Sequence, residues 1–120
     1  MTVTGRVDGP ETAVATVPAQ ASRDDDGGRL DVTVVLPCYN EQDHLLAEIE
    51  RITEALDRSG YRYEVLAIDD KSTDNTLRIL QEAALRFPHL RVLPFARNGG
   101  SGTARRIGTQ QARGEIVVWT

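Results

Sequence analysis

The chain has 120 residues, of which 40% are hydrophobic, 27% are charged and only 5% are aromatic. Fourteen Lys and Arg residues against eighteen Asp and Glu residues give a formal charge of −4, which argues against a dedicated nucleic-acid binder because such proteins need a basic face. The single cysteine, Cys38, excludes a disulfide framework and a thiolate zinc site. No apolar run approaches the roughly 20 residues that cross a bilayer, so we expect no transmembrane segment in this chain.

The first 30 residues differ in composition from the remainder. They are rich in Thr, Ala, Val and Pro, show no helical period and close on Asp-Asp-Asp-Gly-Gly. Because they offer little large apolar surface, we predict a disordered segment over residues 1–30 and a folded domain over residues 31–120. The segment lacks the basic start and long apolar core of a signal peptide, so we expect a cytoplasmic protein.

The folded part begins with a strand and a helix. Residues 32–36 are β-branched and apolar, as in a strand that is covered on both faces. A helix follows, with Asn40 as its N-cap and Gly60 at its end. The apolar stripe of this helix has spacings of four, three and four residues and consists of Leu45, Ile49, Ile52 and Leu56.

The same pattern repeats along the chain. Strands are predicted at residues 63–68, 90–93 and 115–120, and the chain stops in the last of them. Between them lie a helix that Pro88 ends and a helix over about residues 101–112. The first of these helices has an apolar face of Leu77, Leu80, Ala84 and Phe87. Short connections between alternating strands and helices predict an α/β fold, a Rossmann-like parallel sheet with βαβ repeats that is truncated in its fourth strand.

Ligands of such sheets bind outside the carboxyl ends of the strands, where the winding changes direction. Those ends are residues 37–41, 69–74 and 96–102, and the unusual residues of the sequence fall in the same places.

The second of these segments carries an acidic pair, Asp69 and Asp70, directly after an apolar strand. Two adjacent carboxylates repel each other and need a cation or a hydrogen-bond donor. Two uses remain open: an acidic magnesium pocket, or a carboxylate that accepts a hydrogen bond from a ring N–H of a nucleobase. Ser72 and Asp74 are predicted to cap the next helix.

The first segment combines Pro37, Cys38, Tyr39 and Glu41. Pro37 ends the strand because it has no amide donor. Tyr39 can lay its ring on a base, although packing under a neighbouring loop is the commoner use of such a ring. Glu41 can accept a hydrogen bond from a ribose or a base. Cys38 is predicted to be a small buried residue. A catalytic role as a nucleophile with His44 as its base would need a third residue to orient the pair, and none is evident.

The third segment, residues 98–106, is a glycine-rich loop that opens a helix. It is not a Walker A loop, because no Gly-Lys-Ser/Thr follows, and Arg105 stands where a dinucleotide fingerprint needs a small residue. Glycine backbone ahead of a helix can approach an anion closely, with Arg105 or Arg106 adding charge. A flexible connection with surface arginines is the alternative.

Taken together and in order, three motifs resemble those of the family 2 glycosyltransferases, over about residues 31–120. They are Val-Val-Leu-Pro-Cys-Tyr-Asn-Glu at 34–41, Ile-Asp-Asp-Lys-Ser-Thr-Asp-Asn-Thr at 68–76 and Asn-Gly-Gly-Ser-Gly-Thr-Ala-Arg at 98–105. The resemblance is strongest to the polyprenyl-phosphate (dolichol-phosphate-mannose-type) sugar transferases. Lys71 stands where glycine is more common in the family.

The resemblance implies a GT-A fold, a UDP- or GDP-sugar donor, Mg²⁺ or Mn²⁺, and an acceptor such as a polyprenyl phosphate at the cytoplasmic face of the membrane. The nucleotide-sugar-binding residues that it implies are Pro37, Tyr39, Glu41, Ile68, Asp69 and Asp70. On the diphosphate side it implies Gly100, Gly102 and Arg105.

The family's Asp-x-Asp metal motif is expected directly after Thr120, together with the catalytic residues and the acceptor site. We therefore expect these 120 residues to be inactive by themselves. Two other interpretations stay open on the sequence: a phosphoacceptor receiver domain that uses Asp69 and Asp70 for magnesium, and a nucleotide-binding module without transfer activity. A complete strand and helix before the acidic pair count against the receiver domain.

Overall fold

The computed structural model describes residues 13–16 and 29–120. The elements within these ranges are β1 (Ala13–Thr16), β2 (Leu30–Cys38), α1 (Leu45–Ser59), β3 (Tyr63–Asp69), α2 (Thr76–Arg86), β4 (Leu90–Pro94), α3 (Gly100–Gln111) and β5 (Gly114–Trp119). They form one sheet with the strand order β1-β5-β2-β3-β4. Strands β5, β2, β3 and β4 are parallel to one another, which confirms the predicted parallel α/β sheet.

The short strand β1 differs from the predicted disorder of residues 1–30. It pairs antiparallel with β5, with Ala13 opposite Trp119 and Thr16 opposite Ile116. Without β1, β5 would be an edge strand with a row of unpaired amide and carbonyl groups, which attracts even a short extended segment. Residues 1–12 and 17–28 of the predicted segment lie outside the described residues, and the division of the chain near residue 30 stays a prediction.

Helices α1 and α2 cover one face of the sheet. The predicted stripe of α1 is the buried set of that helix, which confirms the pattern, and Leu80 of α2 is fully buried. The apolar core on this face consists of Val32, Val34, Leu36, Cys38, Leu45, Ile49, Ile52, Leu56, Tyr63, Val65, Ala67, Leu80, Ala83, Leu90 and Val118. Burial of these side chains is what holds the helices on the sheet.

Helix α3 covers the opposite face. Its buried residues Ala104 and Gly108 pack on a second core formed with Val35, Leu66, Ile68, Ala112 and Val117. Because both faces are covered, β2 and β3 are buried almost throughout, which explains their continuous apolar sequences.

A buried polar cluster fixes the amino end of the sheet beneath α3. The carboxylate of Glu64 accepts hydrogen bonds from the Thr33 hydroxyl at 2.7 Å, from Nε of Arg91 at 3.0 Å and from the amide of Arg113 at 2.9 Å. Arg91 also donates to the carbonyl of Gln111, at the end of α3. The charge of Glu64 is therefore paired as well as hydrogen-bonded, as a buried carboxylate requires.

Candidate functional site

The winding of the sheet changes direction between β2 and β5. The chain leaves β2 toward α1 on one face and reaches β5 from α3 on the other face. A pocket of about 290 Å³ lies at the carboxyl ends of these strands, where ligands of open α/β sheets bind. Its lining residues are Leu36, Pro37, Cys38, Glu41, His44, Leu45, Glu48 and Thr120.

Two of the predicted site residues, Pro37 and Glu41, line this pocket, and Tyr39 stands between them in the chain. Tyr39 is 47% exposed, so it is not packed under a neighbouring loop. It is not among the residues that line the pocket, and its exposed side chain is a surface on which a planar ring can stack.

Cys38 is buried, as predicted. Burial, followed by the negative charges of Glu41, Asp69 and Glu48, raises the pKa of its thiol to about 12. The thiol therefore stays protonated at neutral pH and does not act as a nucleophile. Glu41 and Glu48 line the pocket, and their carboxylates can accept hydrogen bonds from a ligand.

The loop after β2 is bonded to the loop after β3. The amide of Asn40 donates to the Ser72 hydroxyl at 2.9 Å, and the side-chain oxygen of Asn40 accepts from the amide of Thr73 at 2.8 Å. The amide of Glu41 donates to the Thr76 hydroxyl at 2.8 Å. Asn40 was predicted to cap α1, and this is wrong: α1 begins at Leu45, and Asn40 adopts a left-handed conformation with φ of 51° that aims its side chain at the other loop.

The predicted capping roles of Ser72 and Asp74 have different outcomes. Asp74 accepts a hydrogen bond from the amide of Thr76 at 2.9 Å, the first residue of α2, but the N-cap position itself is Asn75, so the capping prediction is met only in this contact. Desolvation opposes ionisation of Asp74, but hydrogen bonds from the hydroxyl and amide of Thr76 and the amide of Gln42 lower the pKa overall. Ser72 does not cap α2, because its hydroxyl is used by Asn40.

The acidic pair lies at the end of β3 and both members are buried. Asp69 accepts from the amide of Ser72 at 3.3 Å, and this contact supports its predicted role in holding the loop. Asp70 is 7% exposed, and its own amide donates to the carbonyl of Cys38 at 2.9 Å. Asp70 is thereby fixed to the strand whose loop lines the pocket.

The carboxylate of Asp70 is bound by the glycine-rich loop. Its Oδ1 accepts from the amide of Gly99 at 2.7 Å and its Oδ2 from the amide of Gly100 at 2.9 Å. These amides begin α3, so the carboxylate lies at the positive end of the helix dipole. The side chain of Asn98 also donates to the carbonyl of Asp70. The neighbouring helix thus supplies the donors that the acidic pair needs.

The remaining predicted residues are placed differently. Ile68 has no exposed surface and packs between the sheet and α3, so in this conformation it does not reach a nucleoside and we remove it from the site. The amide of Gly100 already holds a carboxylate instead of an open anion site. Gly102 is exposed and Arg105 is half-buried on α3, and their assignment to a diphosphate stays a prediction.

Two features of the site were not predicted from the sequence. One is the position of His44 and Glu48, which line the pocket from the start of α1, one turn apart. The other is the contact between the acidic pair and the glycine loop. The signal was present, because the ends of neighbouring parallel strands lie at one edge and a buried carboxylate there needs donors from the next loop.

The described part of the chain does not fit a divalent cation. It contains no group of three or more His, Cys, Asp or Glu side chains that could hold a metal ion. The carboxylate of Asp70 already accepts hydrogen bonds from two amides, one on each oxygen. Among the described residues there is also no helix long and apolar enough to cross a membrane.

Comparison with known proteins identifies relatives. Residues 33–120 match the family model described as Glycosyl transferase family 2. The undecaprenyl-phosphate 4-deoxy-4-formamido-L-arabinose transferase of Edwardsiella ictaluri is 40% identical over 89 residues, which are 72% of this chain and 27% of that protein. The transferase of the same name from Pseudomonas fluorescens is 35% identical over 88 residues, 72% of this chain and 26% of that protein.

Solved structures show the same fold. The crystal structure of residues 1–349 of S. aureus TarS aligns with a TM-score of 0.65 and 28% identity, over 76% of this chain and 27% of that chain. The mannosyltransferase PcManGT from Pyrobaculum calidifontis, in complex with GDP-Man and Mn²⁺, aligns with a TM-score of 0.64 and 30% identity, over 74% of this chain and 26% of that chain. The chain therefore spans about a quarter of the length of the proteins it matches, and it has the predicted GT-A fold.

Proposed function

Because the chain belongs to glycosyl transferase family 2, we propose that the protein containing it transfers a sugar from a UDP- or GDP-sugar to an acceptor, and that these residues bind the nucleoside. The family match replaces the receiver-domain interpretation of Asp69 and Asp70. The observation that supports the nucleoside site most is that the loops after β2, β3 and β4 are hydrogen-bonded to one another at the carboxyl edge of the sheet. The three loops therefore lie next to one another at that edge.

The chemistry of the exposed groups fits a nucleoside. Ribose hydroxyls and the ring N–H of uracil or guanine are donors, and carboxylates are acceptors. We assign the ribose or base donors to Glu41, which lines the pocket, and the ring N–H to Asp70, whose two oxygens keep further lone pairs beyond those used by the amides. We assign stacking on the base to Tyr39 and support of the loop to Asp69.

Departure of the nucleoside diphosphate builds negative charge on the leaving phosphate, and fixed donors lower the energy of that charge. We assign this side of the donor to Gly102 and Arg105 of α3. Bound Mg²⁺ or Mn²⁺ would supply further neutralisation of the diphosphate. We propose that its ligands lie outside the described residues, which form no such cluster.

For the acceptor we propose a polyprenyl phosphate. This follows the printed names of the relatives from Edwardsiella ictaluri and Pseudomonas fluorescens, which act on undecaprenyl phosphate. The donor class follows the solved structures, of which one contains UDP and one GDP-Man. An acceptor of this kind places the reaction at a membrane surface, and we propose the cytoplasmic face.

Isothermal titration of the full-length protein with UDP, GDP, CDP and ADP tests the nucleoside site, with and without Mn²⁺. We expect UDP or GDP to bind best. Tyr39→Ala and Glu41→Gln should each weaken this binding by about tenfold, the effect of one good contact.

Two matched controls stand at sites away from the carboxyl edge. Tyr61→Ala removes another exposed tyrosine, between α1 and β3, and Glu54→Gln removes an exposed carboxylate of α1. Both should leave nucleotide affinity unchanged. Wild-type affinity in Tyr39→Ala and Glu41→Gln would contradict the assignment of these residues.

A further inference from the structure

The Asp70 carboxylate is held in a defined plane. Its two oxygens accept from two consecutive backbone amides, at 2.7 Å from Gly99 and 2.9 Å from Gly100. The carboxylate of an aspartate otherwise turns freely over a broad range of its second side-chain torsion. Two parallel hydrogen bonds remove this freedom, since each weakens steeply when its angle departs from linearity. The directions of the remaining lone pairs are therefore set by the backbone of the glycine loop.

The conformation of that backbone depends on Gly100. Its φ is 84°, in the left-handed region that residues with a side chain rarely adopt. A Cβ at this position would meet nothing within 4 Å, so the cost of a side chain here is conformational and not steric crowding. Asn98 fixes the loop from its other side by donating to the carbonyl of Asp70.

We propose that Gly100 is a positioning residue for nucleoside recognition: it aims the Asp70 carboxylate at the ring N–H of the base. The inference rests on the proposed function, in which the Asp70 carboxylate accepts a hydrogen bond from that N–H. It assigns to Gly100 an effect on base recognition that is exerted through Asp70, in place of the direct contact with a diphosphate that the resemblance implies. A preorganised carboxylate binds the base more tightly, because its side chain loses no further conformational entropy on binding.

The test compares two glycines that both have a positive φ. Gly60 ends α1 with φ of 81°, and a Cβ there would also meet nothing within 4 Å. It precedes β3, at the amino end of the sheet, whereas Gly100 follows β4 at the carboxyl end. Gly60→Ala and Gly100→Ala therefore both place a side chain at a positive φ without a steric clash, and only Gly100→Ala changes the loop that binds Asp70.

The readout is the ratio of two dissociation constants in the full-length protein. One is for UDP or GDP, whichever binds more tightly, and the other is for the same nucleotide methylated at the ring nitrogen, N3-methyl-UDP or N1-methyl-GDP. We expect the wild type and Gly60→Ala to favour the unmethylated nucleotide by about tenfold or more. In Gly100→Ala this ratio should fall close to one. Gly100→Asn should retain more of it, because asparagine tolerates the left-handed region better than alanine.

The possible outcomes separate the inference from the proposed function. A ratio that survives in Gly100→Ala, or falls equally in Gly60→Ala, overturns the positioning role and leaves nucleotide binding in place. A wild type that binds both nucleotides equally shows that Asp70 reads no ring N–H, which also overturns the inference. A wild type that binds neither UDP nor GDP contradicts the proposed function itself, and the inference falls with it.

Discussion

The contacts of Asp70 predict a large effect of a small substitution on stability. Asp70→Asn keeps the shape of the side chain, removes its charge and replaces one acceptor oxygen with an NH₂ group. That group faces a backbone amide, so one of the two hydrogen bonds to Gly99 and Gly100 is lost and two donors oppose each other.

The magnitude follows from these contacts. A hydrogen bond to a charged group contributes about 1.5–3 kcal/mol, and an anion at a helix N-terminus about 0.3–1 kcal/mol more. Since Asp70 is buried, solvent does not restore the lost bond. We expect Asp70→Asn to lower the free energy of unfolding of this domain by about 2–4 kcal/mol.

The neighbouring carboxylate provides the control. Asp69 is also buried, but it accepts only long hydrogen bonds from Ser72, at 3.3 and 3.4 Å. Asp69→Asn should therefore cost less than about 1 kcal/mol. Urea denaturation of the full-length protein measures both variants, and hydrogen exchange in residues 98–104 shows whether the first turn of α3 opens. Equal losses in the two variants, or unchanged exchange in that turn, would refute the reasoning.

Three further predictions concern other residues. Cys38, with a thiol pKa near 12, should resist iodoacetamide in the native protein at pH 8 and react only on unfolding; fast native labelling would contradict its burial. Lys71 has a φ of 60°, in the left-handed region that glycine adopts easily and β-branched residues do not. Lys71→Gly should therefore keep or raise the midpoint of thermal unfolding, and Lys71→Val should lower it. The reverse order would count against this conformation. Glu64→Gln, which leaves the half-buried Arg91 without a carboxylate partner, should cost about 3 kcal/mol in urea denaturation. Glu115→Gln, which breaks an exposed pair, should cost under about 1 kcal/mol, and similar losses in the two variants would contradict the buried cluster.

Much of the fold could be predicted because burial produces strong periodic patterns. Leu45, Ile49, Ile52 and Leu56 are an example, since a helix on a sheet requires that spacing. The strand ends were equally predictable, and this was enough to bring the acidic and glycine-rich segments to one edge. β1 was not predicted because its four residues are too few to show a periodic pattern of hydrophobicity. Its position also depends on pairing with the edge of β5, which is distant in sequence.

The details of the site could not be predicted, because they depend on contacts between loops. Asn40 has the right type for a helix cap, but the partner that it uses is Thr73, more than 30 residues away. The departure at Lys71 became intelligible only with its φ of 60°, which explains why glycine suits that position better. Ile68 was assigned to the site only because it belongs to the motif. In the structure α3 packs over β3 and covers Ile68, so the side chain is not accessible to a ligand.

Hydrogen exchange of the full-length protein with and without its nucleotide tests the nucleoside site most directly. On addition of UDP or GDP we expect slower exchange in residues 37–42, 69–75 and 96–101, the three loops at the carboxyl edge of the sheet. Residues 57–62, at the opposite end, should exchange unchanged. Nucleotide binding that protects other segments and leaves these three loops as they were would contradict the account.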